Sequence, residues 1–264
     1  MSQQYVVMDL ETVPNPDMNW EPSENNPNMF PPLPIHKIVC AAGLTFETGR
    51  GGNRCHWIGT FGKPGDERSM VEDFIRLIEG KTNPTLITFN GRGFDIYAIM
   101  YRAMHYGLQF PTMFEYDFNY RFKWGRHIDL SDWMRGHGAS PPVKLDYAAQ
   151  AIGLPGKFDV AGSDVSKLIQ EGKQDIVDAY GQCDVIQTTF LLNRFMHVMG
   201  RMSAITHNNL MHSIKTKALG LGNDMISKLI KIIDFSVLEI NNEATVDSPG
   251  TEGHKDYSDE DLPF

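Results

Sequence analysis

Tyr5-Val6-Val7-Met8-Asp9-Leu10-Glu11-Thr12 is the stretch on which the fold turns: four apolar residues without a break, then two carboxylates one residue apart. An unbroken run containing β-branched residues reads as a strand covered on both faces, near the middle of a sheet. Side chains alternate along a strand, so Val7, Asp9 and Glu11 share one face. Both acids stand at the carboxyl end of the run, where open α/β sheets place their ligands. Two carboxylates side by side repel, and burying either is costly unless something positive is close. On this stretch alone two readings stand. Either the strand has ended by Asp9 and both acids are solvated, or a divalent cation lies between them.

The rest of the chain can support a buried strand of this kind. Its 264 residues are enough for one large domain or two small ones, and at 41% hydrophobic and 11% aromatic they can build a real core. No apolar run approaches the ~20 residues of a membrane helix. No basic patch followed by an apolar stretch opens the chain, so no secretory signal is expected and the expected location is cytoplasmic. Cys40, Cys55 and Cys183 are scattered without metal-type spacing and read as reduced thiols in or near the core. The formal net charge of -9 is uneven. Seven of the 33 acidic side chains and one of the 24 basic ones fall in residues 241–264, leaving that stretch at -6 and the rest at -3. Acidity therefore does not exclude a phosphate-bearing substrate; it mainly reports a solvated tail.

Outward from the first strand, Pro14 to Pro34 is rich in Pro and Asn and cannot be a regular helix or central strand. A loop of this length beside a candidate site is either functional or an ordinary surface loop whose Trp20 and Phe30 tuck onto the body. Strands are expected at Ile38–Phe46 and Arg54–Phe61, joined by a Gly-rich turn, with a helix over Glu67–Glu79. Thr85–Phe89 reads as another buried strand. It breaks at Asn90-Gly91-Arg92-Gly93, and a helix continues from Phe94 to Tyr106. This places Asp95 in a first helical turn, at the carboxyl end of a strand or simply as a favourable partner of the helix dipole. The Walker lysine spacing is absent from that turn. Between Pro111 and Pro142 the pattern is weak, with a basic and aromatic run from Tyr120 to His127. Helices follow at Lys144–Ile152, Ser163–Gln170, Asp175–His197, Ser203–His212 and Ile226–Glu239. On the long one, Val177, Tyr180, Gly181, Asp184, Thr188 and Leu191 fall on one stripe, so Tyr180 and Asp184 are neighbours on an otherwise inward face. An aspartate there needs a cation or hydrogen-bond donors. One domain over residues 1–240 and a disordered acidic tail over 241–264 are expected.

Asp9-x-Glu11, Asn90-x-x-x-Phe94-Asp95 and Tyr180-x-x-x-Asp184, in this order, resemble the three motifs of the DEDD superfamily of 3′–5′ exonucleases, in the version with tyrosine in the third motif. More closely, the chain resembles the predicted 3′–5′ exonucleases related to the proofreading domain of family B DNA polymerases. Val7-Met8-Asp9-Leu10-Glu11-Thr12-Val13-Pro14, His127-x-Asp129-Leu130 and Gly153-Leu154-Pro155-Gly156-Lys157 add to the likeness, which covers about Tyr5 to His197. The resemblance implies a ribonuclease-H-like mixed β-sheet flanked by helices, with Asp9, Glu11, Asp95, Tyr180 and Asp184 catalytic. It also implies two divalent ions, Mg²⁺ or Mn²⁺, on the four carboxylates.

Four carboxylates can hold two hard cations, one lowering the pKa of an attacking water and the other stabilising the departing 3′ oxygen. Tyr180, with an ordinary pKa of ~10, is suited to orient that water and poorly suited to remove its proton. Thr12, Asn90 and Phe94 are the candidate strand-binding residues. Phe94 either stacks on a terminal base or fills the core, and Asn90 either bonds the strand or caps the turn. His127 and Asp129 could support the site from outside, and Lys157 is either a phosphate contact or a solvated lysine.

The resulting expectation is a metal-dependent 3′–5′ exonuclease on single-stranded DNA ends, in repair or replication. The alternatives are a ribonuclease trimming RNA ends or short oligoribonucleotides, a non-catalytic nucleic-acid-binding adaptor, and a structural domain with exposed acids. The close of the chain, Asp259-Glu260-Asp261-Leu262-Pro263-Phe264, resembles the tail of bacterial single-stranded DNA-binding protein, with Leu262 in place of isoleucine. Phe264 offers an aromatic plug and a free carboxylate, Pro263 stiffens the approach, and the acids attract a basic rim. Leu262, Pro263 and Phe264 would then dock proteins that read that tail; otherwise the tail is only solubilising, or it folds over the site and repels phosphates.

Overall fold

The computed structural model describes residues 2–26, 29–49 and 52–241. Five strands form one sheet: β1 (Ser2–Pro14), β2 (His36–Gly49), β3 (Arg54–Thr60), β4 (Thr85–Thr88) and β5 (His127–Asp129), in the order β3-β2-β1-β4-β5. β2 runs antiparallel to both of its neighbours, whereas β1, β4 and β5 are parallel. The quoted stretch is therefore the central strand. Its alternation separates two cores: Tyr5 and Val7 belong to one, Val6, Met8 and Leu10 to the other. This is the mixed sheet flanked by helices that the resemblance implied.

Among the described residues the helices are α1 (Glu67–Ile78), α2 (Asp95–Tyr106), α3 (Tyr116–Asn119), α4 (Leu130–Met134), α5 (Leu145–Gln150), α6 (Val165–Gln170), α7 (Gln174–Val198), α8 (Ala204–Leu219), α9 (Asp224–Ile232) and α10 (Phe235–Leu238). α7 lies across β1 and β2 on one face, α8 lies beside it on β3, and α9 packs against both helices. α1 and α2 cover the other face. No helix among the described residues is long and apolar enough to cross a membrane. Cys40, Cys55 and Cys183 are all buried free thiols, as expected of core cysteines.

A buried ion pair fixes the α1–α2 layer. Arg102 donates to Glu67 at 2.6 Å and the Tyr106 hydroxyl donates to the same oxygen at 2.8 Å. The other Glu67 oxygen accepts the Ile38 N–H at 2.6 Å, which ties the layer to β2. Burying one carboxylate is tolerable here because a guanidinium and two further donors satisfy it.

The weak segment between Pro111 and Pro142 contains α3, β5 and α4. β5 is only three residues long and at the sheet edge, too short to show a period of two. The expected single helix over Ile226–Glu239 is two. The chain turns extended at Ile233, and the Asp234 carboxylate accepts the Ser236 N–H and starts α10 afresh. The Pro-rich loop is closed at its neck by the Asn15 N–H on the Ile35 carbonyl at 2.7 Å. Its Phe30 packs on His36 and Phe94, with ring centroids 4.8 and 5.6 Å away. The acidic stretch from residue 242 onward, including Leu262, Pro263 and Phe264, lies outside the described residues.

Candidate active site

Alternation along β1 puts Asp9 and Glu11 on the face that α7 covers, beside Val7. Directly after Glu11 the pairing with β2 slips. Glu11 stands opposite Cys40 and Thr12 opposite Ile38, leaving Val39 as a bulge. A bulge bends and twists its strand, and this one lies beside the second carboxylate. α7 approaches closely because position 181 is glycine: a Cβ there would stand 3.0 Å from Ala42 Cβ, 3.3 Å from Cys40 Sγ and 3.9 Å from Glu11 Cγ. Tyr180 and Asp184, one helical turn apart, are thereby carried to the carboxylates of β1, and the Tyr180 hydroxyl donates to Asp184. Carboxylate oxygens of Asp9, Glu11 and Asp184 all lie within 4.8 Å of one another.

Asp95 arrives from the other side. β4 runs parallel beside β1 and ends in a tight turn, in which Asn90 is left-handed with φ 67. Gly91 is required there, since a Cβ would lie 2.5 Å from the Thr88 side chain. The Asp129 carboxylate at the end of β5 clamps this turn: it accepts the N–H groups of Asn90 and Arg92 at 2.8 Å each, and that of Asp132 at 3.3 Å. The Asp95 carboxylate accepts the Leu10 N–H at 3.1 Å, which anchors α2 to β1 midway between the two acids of that strand. Asp95 stands outside the three-carboxylate group, yet its charge bears on both Asp9 and Glu11.

Burial, and then the neighbouring carboxylates, push the Asp9 and Glu11 carboxyls well above the usual carboxylate range. Burial raises Asp95 to about 7, although its own N–H and that of Leu10 pull it back. Asp184 is also raised to about 7 by burial, against the stabilising hydroxyl of Tyr180. The Tyr180 phenol is raised too, by burial and then by the charges of Asp184, Glu11 and Asp9, so it keeps its proton. Carboxylates gathered this closely penalise one another's charge, and a hard cation relieves the penalty. An all-oxygen donor set suits ions of the Mg²⁺ and Mn²⁺ class, with Asp9, Glu11 and Asp184 as the residues that could hold one.

The outer candidates divide. The Thr12 hydroxyl meets His36 Nδ1 at 2.9 Å, and His36 Nε2 meets the Pro31 carbonyl at 2.9 Å. A carbonyl only accepts, so Nε2 carries the proton and Thr12 donates to Nδ1. The His36 ring also packs edge-on against Phe94 at 4.9 Å. Thr12 and Phe94 thus sit in one patch with the Pro-rich loop. Asn90 is exposed at the tip of its turn. Lys157 is exposed; its N–H binds Asp146, and the neighbouring Gly156 is paired twice with the Gln187 side chain at 2.8 Å. Two residues escaped sequence reasoning as positioning groups. Arg92 binds the carbonyls of Phe118, Asn119 and His127 at 2.7 to 2.9 Å, and Gly181 sets the helix–sheet distance. Asp129 had a signal in His127-x-Asp129, but its clamp on the Asn90 turn depends on a strand 37 or more residues away.

The family model described as a predicted 3′–5′ exonuclease related to the exonuclease domain of PolB matches residues 28–226. That span contains Asp95, Tyr180 and Asp184; the fold adds Asp9 and Glu11 from the strand before it. Among solved structures, the chain is similar to the family B DNA polymerase from the hyperthermophilic archaeon Pyrobaculum calidifontis, with a TM-score of 0.49 and 14% identity. The likeness covers 83% of this chain and 29% of the polymerase, so the chain spans under a third of that protein's length. None of the curated proteins matches the chain.

Proposed function

Because the chain belongs to the family of predicted 3′–5′ exonucleases related to the exonuclease domain of PolB, we propose that it removes nucleotides from the 3′ ends of single-stranded DNA by metal-dependent phosphodiester hydrolysis. The observation that carries the proposal is the convergence of Asp9, Glu11 and Asp184 within 4.8 Å, with Asp95 anchored beside them and Tyr180 hydrogen-bonded to Asp184. Two Mg²⁺ or Mn²⁺ ions, held by Asp9, Glu11, Asp184 and Asp95, would supply an activated water and charge stabilisation of the departing 3′ oxygen. The chain's own groups do the rest. The Asp129 clamp and the Leu10 N–H hold Asp95 in place before substrate arrives. Tyr180, protonated because of its surroundings, offers a hydroxyl that orients the attacking water. Phe94, backed by His36 and Phe30, presents a ring against which the terminal base stacks. Thr12, bonded to His36 beside that ring, and Asn90, exposed at the tip of its turn, bind the strand.

The test is incubation of the purified protein with 3′-labelled and 5′-labelled single-stranded DNA and RNA, with EDTA, Mg²⁺ or Mn²⁺. Shortening of 5′-labelled DNA from its 3′ end, only with the metal, is the expected result. Faster loss of RNA would reassign the substrate, and no cleavage of either would sink the reading. The same reading gives Leu262-Pro263-Phe264 a recruiting role toward proteins that read the tail of bacterial single-stranded DNA-binding protein. Deleting these three residues is expected to abolish pull-down of such proteins while activity on naked DNA stays unchanged.

A further inference from the structure

Between Tyr116 and Trp124 every second residue is aromatic, and Arg121 and Lys123 alternate with the last three rings. The segment is no strand. α3 turns Phe118 inward, while Tyr116, Tyr120 and Phe122 remain 66%, 41% and 54% exposed. Their rings form a continuous outward row: Tyr116 stacks on Tyr120 at 4.8 Å, Tyr120 lies 5.7 Å from Phe122, and Phe122 lies 4.9 Å from His137. The Arg121 guanidinium stands 5.7 Å from the Phe122 ring centre.

Beside this row opens a cavity of about 420 Å³ lined by Arg92, Asn119, Arg121, His127, Asp132 and Arg135. Asn90, Gly93, Ile96 and Tyr97, flanking Asp95 in the segment that carries it to the acid cluster, also line it. The cavity is unfinished as a piece of protein interior. His127 Nδ1, Asp132 Oδ2 and Arg135 Nε are buried there without a hydrogen-bond partner. Arg121 pairs with Asp132, whereas Arg135 has no acidic partner among the described residues. Buried groups of this kind are normally satisfied, so three around one cavity mark a place built to receive polar groups from outside. Rings that every base can stack on, interleaved with basic side chains that attract phosphates, are the chemistry of single-strand binding.

We propose that the Tyr116–Tyr120–Phe122 row and the adjoining Arg121–Arg135 cavity form a second subsite for the substrate strand, holding nucleotides 5′ of the scissile bond. The assignment rests on the nuclease reading above. With the 3′ terminal nucleotide at the acid cluster, all remaining nucleotides lie on its 5′ side and must leave across the surface. The Arg92 guanidinium joins the two regions directly, bridging from the Asp95 turn to the Phe118 and Asn119 carbonyls.

The experiment compares steady-state hydrolysis of a dinucleotide with that of oligonucleotides of about six and twelve nucleotides, DNA and RNA, by the full-length wild type, Phe122→Ala, Tyr120→Ala and Arg135→Gln. Thermal melting verifies that each variant is folded, and light scattering reports its oligomeric state. Loss of one stacking ring should raise KM for the twelve-mer about 5-fold or more, with kcat and dinucleotide hydrolysis unchanged. Arg135→Gln should also reduce the salt dependence of that KM by about one phosphate contact. An effect on DNA alone, on RNA alone or on both identifies which strand the subsite takes. Wild-type KM values in all three variants on both polymers would overturn the subsite and leave the nuclease reading standing. Variants that instead lose a dimer, with KM unchanged, would show the row to be a contact between copies and also overturn it. A wild type that digests nothing would remove the nuclease reading and the subsite together.

Discussion

Asp184 and Tyr180 show how one residue's environment sets its chemistry. Without metal, Asp95 and Asp184 hold their protons up to about 7, far above the unfolded value of ~3.9. A raised folded pKa gives stability that is complete below the unfolded value and is lost as pH rises through the folded one. In EDTA the melting temperature should therefore fall between about pH 4 and 7. Asp184→Asn should flatten that fall while abolishing nuclease activity; an equally steep fall in the variant would show that burial and crowding at Asp184 were misjudged. Tyr180→Phe keeps the ring packing and removes only the hydroxyl. Turnover should drop by no more than the ~10²–10⁴-fold typical of acid–base assistance, with metal binding unchanged. A variant as inactive as Asp184→Asn would give the tyrosine a larger chemical part.

Elements position these residues, and contacts between elements hold the elements in place. Gly181 lets α7 ride close to β1 and β2. Gly181→Val should force the helix outward, costing about 1–3 kcal/mol by overpacking. Activity should fall more steeply than stability, because Tyr180 and Asp184 move with the helix; assays at a temperature where the variant is fully folded separate the two effects. On the opposite face, Arg102→Ala leaves Glu67 buried and unpaired, a loss of about 3–5 kcal/mol. Chemical denaturation should register it as a lower midpoint with unchanged slope. A midpoint within error of wild type would mean that Glu67 takes up a proton or water at little expense.

At the scale of the whole molecule, the fold gathers four acidic side chains whose mutual repulsion a bound cation would relieve. A divalent ion bound only by the folded cluster stabilises by mass action, about 2.7 kcal/mol at a concentration 100 times its Kd. Addition of Mn²⁺ or Mg²⁺ at pH 8 should raise the melting temperature of the wild type, and the rise should vanish in Asp9→Ala. An ion-induced shift that survives in Asp9→Ala would place the binding elsewhere on this acidic chain. The fold supports the site from both faces, with α7 over one core and α1 and α2 under the other.

Local periodicity was enough to pair site residues along their own elements. A strand repeats every two residues, so Asp9 and Glu11 had to share a face, and a helix turn spans four, so Tyr180 had to neighbour Asp184. Glycine punctuation gave the break at Asn90-Gly91-Arg92-Gly93, and resemblance to known motifs supplied the order in which the pieces meet. Tertiary structure alone decided what those pieces touch. The Val39 bulge depends on the pairing of two strands, the Asp129 clamp on a three-residue edge strand with no visible period, and the buried Glu67–Arg102 pair on two helices 35 residues apart. The cavity beside the aromatic row likewise exists only where α2, α3, β5 and α4 converge. Each of these is a contact between residues whose sequence neighbours carry no sign of it, because hydrogen bonding and desolvation act through space and periodicity acts along the chain.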